Sequence, residues 1–204
     1  GGFSLLKTHY YGGVRKYQWL STPLELRGTI IRRDGTSVEV ALGSEPGDPL
    51  LVIPDLLPHL AGAQSEKPLK KAVDPEALNL FLGSRPYPDA EAGERLKLAA
   101  LELLNQKYGI TEEDFLSAEL CAVPAHPACD VGLDRSMIGA YGQDDRVCGY
   151  ASLQGLFDAK APGKTAVCVL ADKEEIGSMG VSGMQSQAFD TFIADLCDCL
   201  GAHL

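Results

Sequence analysis

The sequence predicts an α/β protein in two parts, β-rich over residues 1–120 and alternating helix with strand over 121–204. Two observations carry this expectation. Between Leu24 and Leu42 apolar and polar residues alternate on either side of Asp34-Gly35, as in a hairpin closed by a tight turn. Beyond residue 120 a helical pattern, a fully apolar run and a second helical pattern follow one another, which is the alternation of an α/β layer.

Residues 1–20 are rich in glycine and aromatic side chains (Thr8-His9-Tyr10-Tyr11-Gly12-Gly13). The hairpin strands start at Leu24-Glu25-Leu26-Arg27 and return through Val38-Glu39-Val40. Leu50-Leu51-Val52-Ile53 reads as a short buried strand closed by Pro54, and 43–49 and 61–75 read as loops. From Glu94 to Tyr108 the spacing of Leu96, Ala99, Ala100, Leu103 and Leu104 predicts a helix stopped by Gly109. Thr111-x-x-Asp114 resembles a capping box, and Ser117–Val123 a further strand. A helix beginning at Asp144 would turn Val147, Tyr150, Ala151, Leu153 and Phe157 inward. Thr165–Leu170 is expected as a buried strand, then a glycine-rich loop (Gly177, Gly180, Gly183), then a helix from Gln187 with Phe189, Phe192, Ile193, Leu196 and Leu200 inward.

The bulk numbers exclude several classes. At 204 residues, 45% hydrophobic and 23% charged, the chain is an ordinary globular protein with enough length for a core. A net charge of −10 without a Lys/Arg stripe argues against nucleic acid and against an anionic membrane surface. No apolar run approaches a membrane span and no leader pattern opens the sequence. The six cysteines are expected as reduced thiols of a cytoplasmic protein, because a chain of this size does not need disulfides. His126-x-x-Cys129 and Cys197-x-Cys199 lack the four-ligand spacing of a structural zinc.

Two acidic motifs carry the chemistry. Asp144-Asp145-Arg146 stands at a helix start, where an aspartate caps or meets the helix dipole without any further role, and where Asp145 and Arg146 could form a local salt bridge. Glu174-Glu175 stands just past the expected strand 165–170, at the carboxyl end where open α/β sheets build their sites. By itself Lys173-Glu174-Glu175 is an unremarked surface turn. Together the motifs place several carboxylates at one end of a buried run, and a divalent metal is a natural partner for them. One glutamate can then ligate while its neighbour accepts a proton from bound water.

The stretches Val131-Gly132-Leu133-Asp134-Arg135-Ser136-Met137-Ile138, Tyr141 to Arg146 and Asp172 to Ser178 resemble the aspartyl aminopeptidase / aminopeptidase I family of dinuclear zinc exopeptidases. The resemblance continues upstream through Tyr11-Gly12-Gly13, Trp19 and Ile53 to Leu60. It implies an inserted, β-rich dimerisation domain over 1–120 and part of the α/β catalytic domain of a zinc peptidase over 121–204. It implies that Asp144 bridges two zinc ions, that Glu175 ligates one of them and that Glu174 is the general base. His59 matches the histidine that one subunit lends to its neighbour's site; on spacing alone it is a histidine after a proline turn. The family's upstream His-x-Asp and its later aspartate and histidine have no match here, so the chain is expected to be an inactive internal fragment.

The reading is therefore a zinc metalloaminopeptidase releasing N-terminal residues from peptides, with two zinc ions per site in the intact, homo-oligomeric enzyme. The rival of a different class is a non-catalytic oligomerisation module whose carboxylates are idle. A third, a cysteine-rich redox or zinc module, is separable by counting thiols.

Overall fold

The computed structural model describes residues 2–160, 162–172, 174, 177–180 and 183–202. Its contacts divide the chain into two compact units. The first holds the residues up to Tyr10 together with Arg15–Ala128, the second Tyr11–Val14 together with the residues from Cys129 onward.

The first unit is built on strand β2. β1 (Ser4–Leu6) precedes it, and a 3-10 turn over Lys16–Trp19 leads into β2 (Leu24–Ile31) and β3 (Ser37–Leu42). The expected hairpin is present. Arg32 N donates to Thr36 O (2.8 Å), and Asp34 accepts from Thr36 N (2.9 Å) and Oγ1 (2.6 Å), so the aspartate closes the turn while Gly35 takes φ +83°. Alternation turns Leu24, Leu26 and Ile30 inward, and these join Val40, Leu51, Ile53, Val73, Leu78, Leu80 and Ile110 in the core.

Three short helical turns follow: α1 (Gly62–Ser65), α2 (Leu69–Ala72) and a 3-10 turn over Pro75–Ala77 capped by Asp74. They occupy the segment expected as loop. β4 (Leu80–Gly83) pairs antiparallel with β1. The run expected as a strand at 50–53 forms isolated bridges instead. Leu51 exchanges both backbone hydrogen bonds with Leu24 (2.8 and 3.0 Å) and Val52 O accepts from Phe81 N (2.9 Å), while Leu50 is exposed.

Helix α3 (Arg95–Tyr108) ends at Gly109, whose left-handed φ of +64° lets its N–H reach Asn105 O. Of its expected inward face, Leu103 points out and is 64% exposed. The Thr111/Asp114 box forms: Asp114 Oδ2 accepts from Thr111 N (2.7 Å) and Oγ1 (3.0 Å). β5 (Ala118–Pro124) then pairs antiparallel along β2, from Ile30↔Ala118 to Leu24↔Pro124. The sheet order is β3-β2-β5. Because β5 completes this sheet, residues 121–128 pack with the first unit.

The second unit opens with a hairpin, β6 (Cys129–Val131) and β7 (Met137–Gly139), followed by α4 (Gln143–Asp158) and α5 (Gln187–Leu200). Both helices match expectation in position but not in burial. Val147, Tyr150 and Phe157 of α4 are 62%, 67% and 71% exposed, and neither helix has a buried residue among those described. Among the described residues the run expected as a strand at 165–170 forms no strand and has no ladder partner, and Val167, Val169 and Leu170 are exposed. An apolar run becomes a strand only where neighbours accept its backbone hydrogen bonds, and the one strand pair described in this unit is β6–β7. The mixed α/β class stands; the core of the described residues lies wholly in the first unit.

Candidate functional site

Asp144 occupies the first turn of α4, where the positive end of the helix dipole favours a carboxylate. The preceding residue pattern folds this way because Gly142 adopts φ +69°, ψ +34°, a left-handed conformation that redirects the chain into the helix. No side chain caps this helix start. Gln143 Nε2 instead donates to Ile138 O (3.1 Å) and Arg146 Nε to Tyr141 O (3.3 Å). The local salt bridge considered for Asp145 and Arg146 is not formed, because the guanidinium turns back to that carbonyl. Asp144 and Asp145 are exposed and enter no hydrogen bond or ion pair through their side chains among the described residues.

Glu174 is exposed in a turn, its carbonyl oxygen accepting from Gly177 N at 2.9 Å. The glycine-rich loop beyond it is closely folded. A Cβ at Gly183 would lie 2.0 Å from Ser178 O, and Gln185 donates from its backbone to Ser178 O and from its side chain to Gly177 O. Glu175, the expected zinc ligand, lies outside the described residues.

His59 belongs to the first unit. It sits in a turn in which Leu60 N (2.8 Å) and Ala61 N (3.0 Å) both donate to Leu57 O, anchored by Asp55, which accepts from Leu56 N and Gln64 Nε2. The turn is exposed and carries Leu56, Leu57 and Leu60, at 54%, 58% and 65% exposure. Three leucines held in water by a hydrogen-bonded turn form an apolar patch of the kind that meets a partner.

The hairpin behind Asp144 was not anticipated. Its signal was available in the sequence: Cys-Asp-Val and Met-Ile-Gly flank Gly132-x-Asp134, a turn-forming pair. Ser136 hydrogen-bonds the Asp134 carboxyl and holds it below the usual carboxylate range, and Gly132 takes φ +90°. A shallow hollow of about 640 Å³ lies beside the helix start, lined by Ile138, Gln143, Asp144, Arg146, Val147 and Tyr150.

Among the described residues no three His, Cys, Asp or Glu side chains come together to hold a metal ion. A closed zinc site takes four ligands and a catalytic one three, so the described residues alone do not fit the group. All six cysteines are free thiols, and no helix among the described residues is long and apolar enough to cross a membrane.

Comparison with known proteins adds an independent line. A family profile described as aminopeptidase I zinc metalloprotease (M18) matches residues 1–203. A probable M18 family aminopeptidase 1 of Clostridium acetobutylicum is 46% identical over 200 residues, covering 98% of this chain and 43% of its own length. The crystal structure of an M18 family aminopeptidase from Thermotoga maritima superimposes with a TM-score of 0.85 at 44% identity, covering 98% of this chain and 44% of that one. An mApe1 dodecamer from S. cerevisiae, 18% identical with a TM-score of 0.60, shares the fold. The chain spans less than half the length of these relatives.

Proposed function

The chain belongs to the aminopeptidase I (M18) family of zinc metalloproteases, and on that premise we propose that it forms the middle of an enzyme releasing N-terminal residues from peptides. Asp144 and Glu175 would be the residues of this chain that hold zinc, which when bound would polarise the scissile carbonyl and acidify a water, and the remaining ligands would come from the rest of the protein, since relatives are more than twice as long. The observation that carries the reading is that Asp144 and Glu174 lie in one compact unit with both carboxylates exposed rather than bonded into the fold. A catalytic carboxylate has to be available to its ligand, whereas a capping one is used up by backbone N–H groups.

In this reading Glu174 is the general base. It takes a proton from the attacking water as the C–O bond forms and the carbonyl oxygen becomes an oxyanion, and it returns that proton to the amide nitrogen as the carbonyl re-forms and the C–N bond breaks. The first unit is the dimerisation domain of a homo-oligomer, and its His59 turn reaches a neighbour's site, where the imidazole donates a hydrogen bond to the developing oxyanion. The exposed leucines beside His59 support that contact. The six free thiols support a reducing, cytoplasmic setting.

The apolar run 165–170 follows the same logic. It is proposed as a strand whose ladder neighbours belong to the rest of the enzyme, which accounts for both its composition and its exposure here.

A second reading has its own observation. The absence of a three-ligand cluster among the described residues, with an exposed leucine turn, favours an oligomerisation module for the chain taken alone. Zinc stoichiometry separates the two.

The test is Glu174→Gln in the full-length enzyme. The expected result is a fall in kcat of about 10²–10⁴-fold with zinc content unchanged. A kcat within a factor of a few of wild type would remove Glu174 from the reaction.

A further inference from the structure

We propose that two copies of this chain meet along the outer edge of β5, which pairs antiparallel with β5 of the second copy so that Cys121 faces its own counterpart. The inference rests on the reading of the first unit as a dimerisation domain. Its sheet, β3-β2-β5, has two edges. At the β5 edge Ala125 N donates to Pro23 O (3.0 Å), which makes Leu24↔Pro124 a non-hydrogen-bonded pair of the ladder. Alternation from that pair turns the backbone N–H and C=O groups of Glu119, Cys121 and Val123 toward β2, and those of Leu120 and Ala122 toward the open side. The close approach of Glu119 O to Gly28 on β2 agrees with this direction.

The other edge is closed by its own chain. By the same alternation Ala41 of β3 faces away from β2, and its carbonyl accepts from Tyr108 Oη at the end of α3 (2.8 Å). Just past the strand Gly43 N donates to Asp48 Oδ2 (3.1 Å). β5 has no such cover among the described residues. Exposed edges are normally blunted by a lysine, an internal proline or a bulge. β5 has none of these: its register against β2 runs unbroken from Ala118 to Pro124, proline stands only at its end, and its one charged residue is Glu119. A regular, nearly neutral edge of this kind accepts a further strand.

A second copy fits because an antiparallel strand is complementary to itself about a two-fold axis. Two stops limit the pairing: Ala118 N is already given to Phe115 O, and Pro124 has no N–H. An axis through Cys121 overlaps the whole of Ala118–Pro124 with its copy, and any shift of the axis shortens the overlap. In that register Leu120 exchanges both backbone hydrogen bonds with Ala122 of the second copy, and Ala122 with its Leu120. The inward row Ala118, Leu120 and Ala122, which packs on the core, then continues across the axis with a large side chain against a small one. On the opposite face Glu119 meets Val123, and the two Glu119 carboxylates stand about 13 Å apart, beyond the range of screened repulsion. Cys121, an exposed free thiol, meets Cys121 in a non-hydrogen-bonded pair. The Cα atoms of such a pair are about 4.5 Å apart, within the span of a disulfide.

The experiment uses the full-length enzyme. Oxidised glutathione should link two wild-type subunits through a Cys121 disulfide, and Cys121→Ser should abolish the link. Ala122→Pro removes an N–H that faces the open edge and leaves the ladder to β2 intact. Each copy then loses one bond to the other, so association measured by analytical ultracentrifugation should weaken about 10- to 100-fold. Cys121→Lys and Cys121→Glu set like charges face to face, and each alone should weaken association, whereas an equal mixture of the two should regain it. That pair of variants decides the matter even where the proline disturbs folding. An oligomer that forms no Cys121 link and associates normally as Ala122→Pro overturns the pairing, whether another segment of the enzyme or a different partner covers β5. Charge variants that both dissociate without recovery on mixing overturn the register, because Cys121 then faces something other than itself. In each of these outcomes the wild type is still an oligomer. A wild type that is monomeric at micromolar concentration overturns instead the reading of a dimerisation domain, and the pairing with it.

Discussion

Gly28 is the position where the first unit is least tolerant of a side chain, and Gly28→Ala is the sharpest test of how its sheet is assembled. The residue sits in the middle of β2, opposite Val40 on one side and Leu120 on the other, with φ +148°. A Cβ built there lies 1.9 Å from the carbonyl oxygen of Glu119, 2.9 Å from its carbon and 3.0 Å from Leu120 Cα. All three atoms are backbone, so no rotamer change relieves the contact. An ordinary C···O approach of about 3.4 Å would require β5 to retreat by about 1.5 Å. That displacement breaks the local ladder, about two hydrogen bonds at about 1 kcal/mol each, and the disfavoured φ adds about 1–3 kcal/mol. The expected loss is about 3–5 kcal/mol, a large share of a typical domain's stability. Urea unfolding followed by the fluorescence of Trp19, the single tryptophan and a partly buried neighbour of this core, measures it. Gly35→Ala is the control: its φ is +83° but nothing lies within 4 Å of its Cβ, so only backbone strain of about 1–2 kcal/mol applies. A Gly28→Ala loss no larger than the Gly35→Ala loss would refute the close packing of β5 on β2.

Two further outcomes are expected. Mixing full-length His59→Ala with Glu174→Gln under subunit exchange should restore activity that neither variant has, because some sites then combine an intact Glu174 with a neighbour's His59; no recovery despite demonstrated exchange would assign His59 to its own subunit's structure. Asp114 accepts the Thr111 backbone N–H and, in addition, its hydroxyl, and these bonds hold its carboxyl below the ordinary value of about 3.9. A lowered folded-state pKa means that the carboxylate stabilises fully above about pH 4 and loses that contribution as pH falls through the depressed value. The stability gap between wild type and Asp114→Asn, read by urea unfolding at a series of pH values, should therefore be constant near neutrality and shrink in acid; a gap that does not vary with pH would place the stabilisation elsewhere.

The parts of the fold that the sequence determined are those whose forces are local. Period-two alternation and Asp34-Gly35 define the β2–β3 hairpin, because the aspartate side chain and the glycine φ close the turn among neighbouring residues. Helical spacing and Gly109 define α3, and the Thr111/Asp114 pair forms its hydrogen bonds within four residues. The acidic motifs and the family were legible for a related reason: residue order alone carries them, whatever the packing. Tertiary structure decided what depends on distant partners. That β2 also pairs with β5, and that residues 121–128 therefore pack with the first unit, follows from a ladder between segments about ninety residues apart, which no window of sequence contains. Nor does composition say whether Arg146 pairs with Asp145 or turns to the Tyr141 carbonyl, since both partners are within its reach and only the backbone path of the turn selects one. The run at 165–170 shows the limit most plainly. Its residues are those of a buried strand, yet apolar composition provides only the tendency to be covered; hydrogen-bonding neighbours make the strand, and the described part of the second unit pairs none with it.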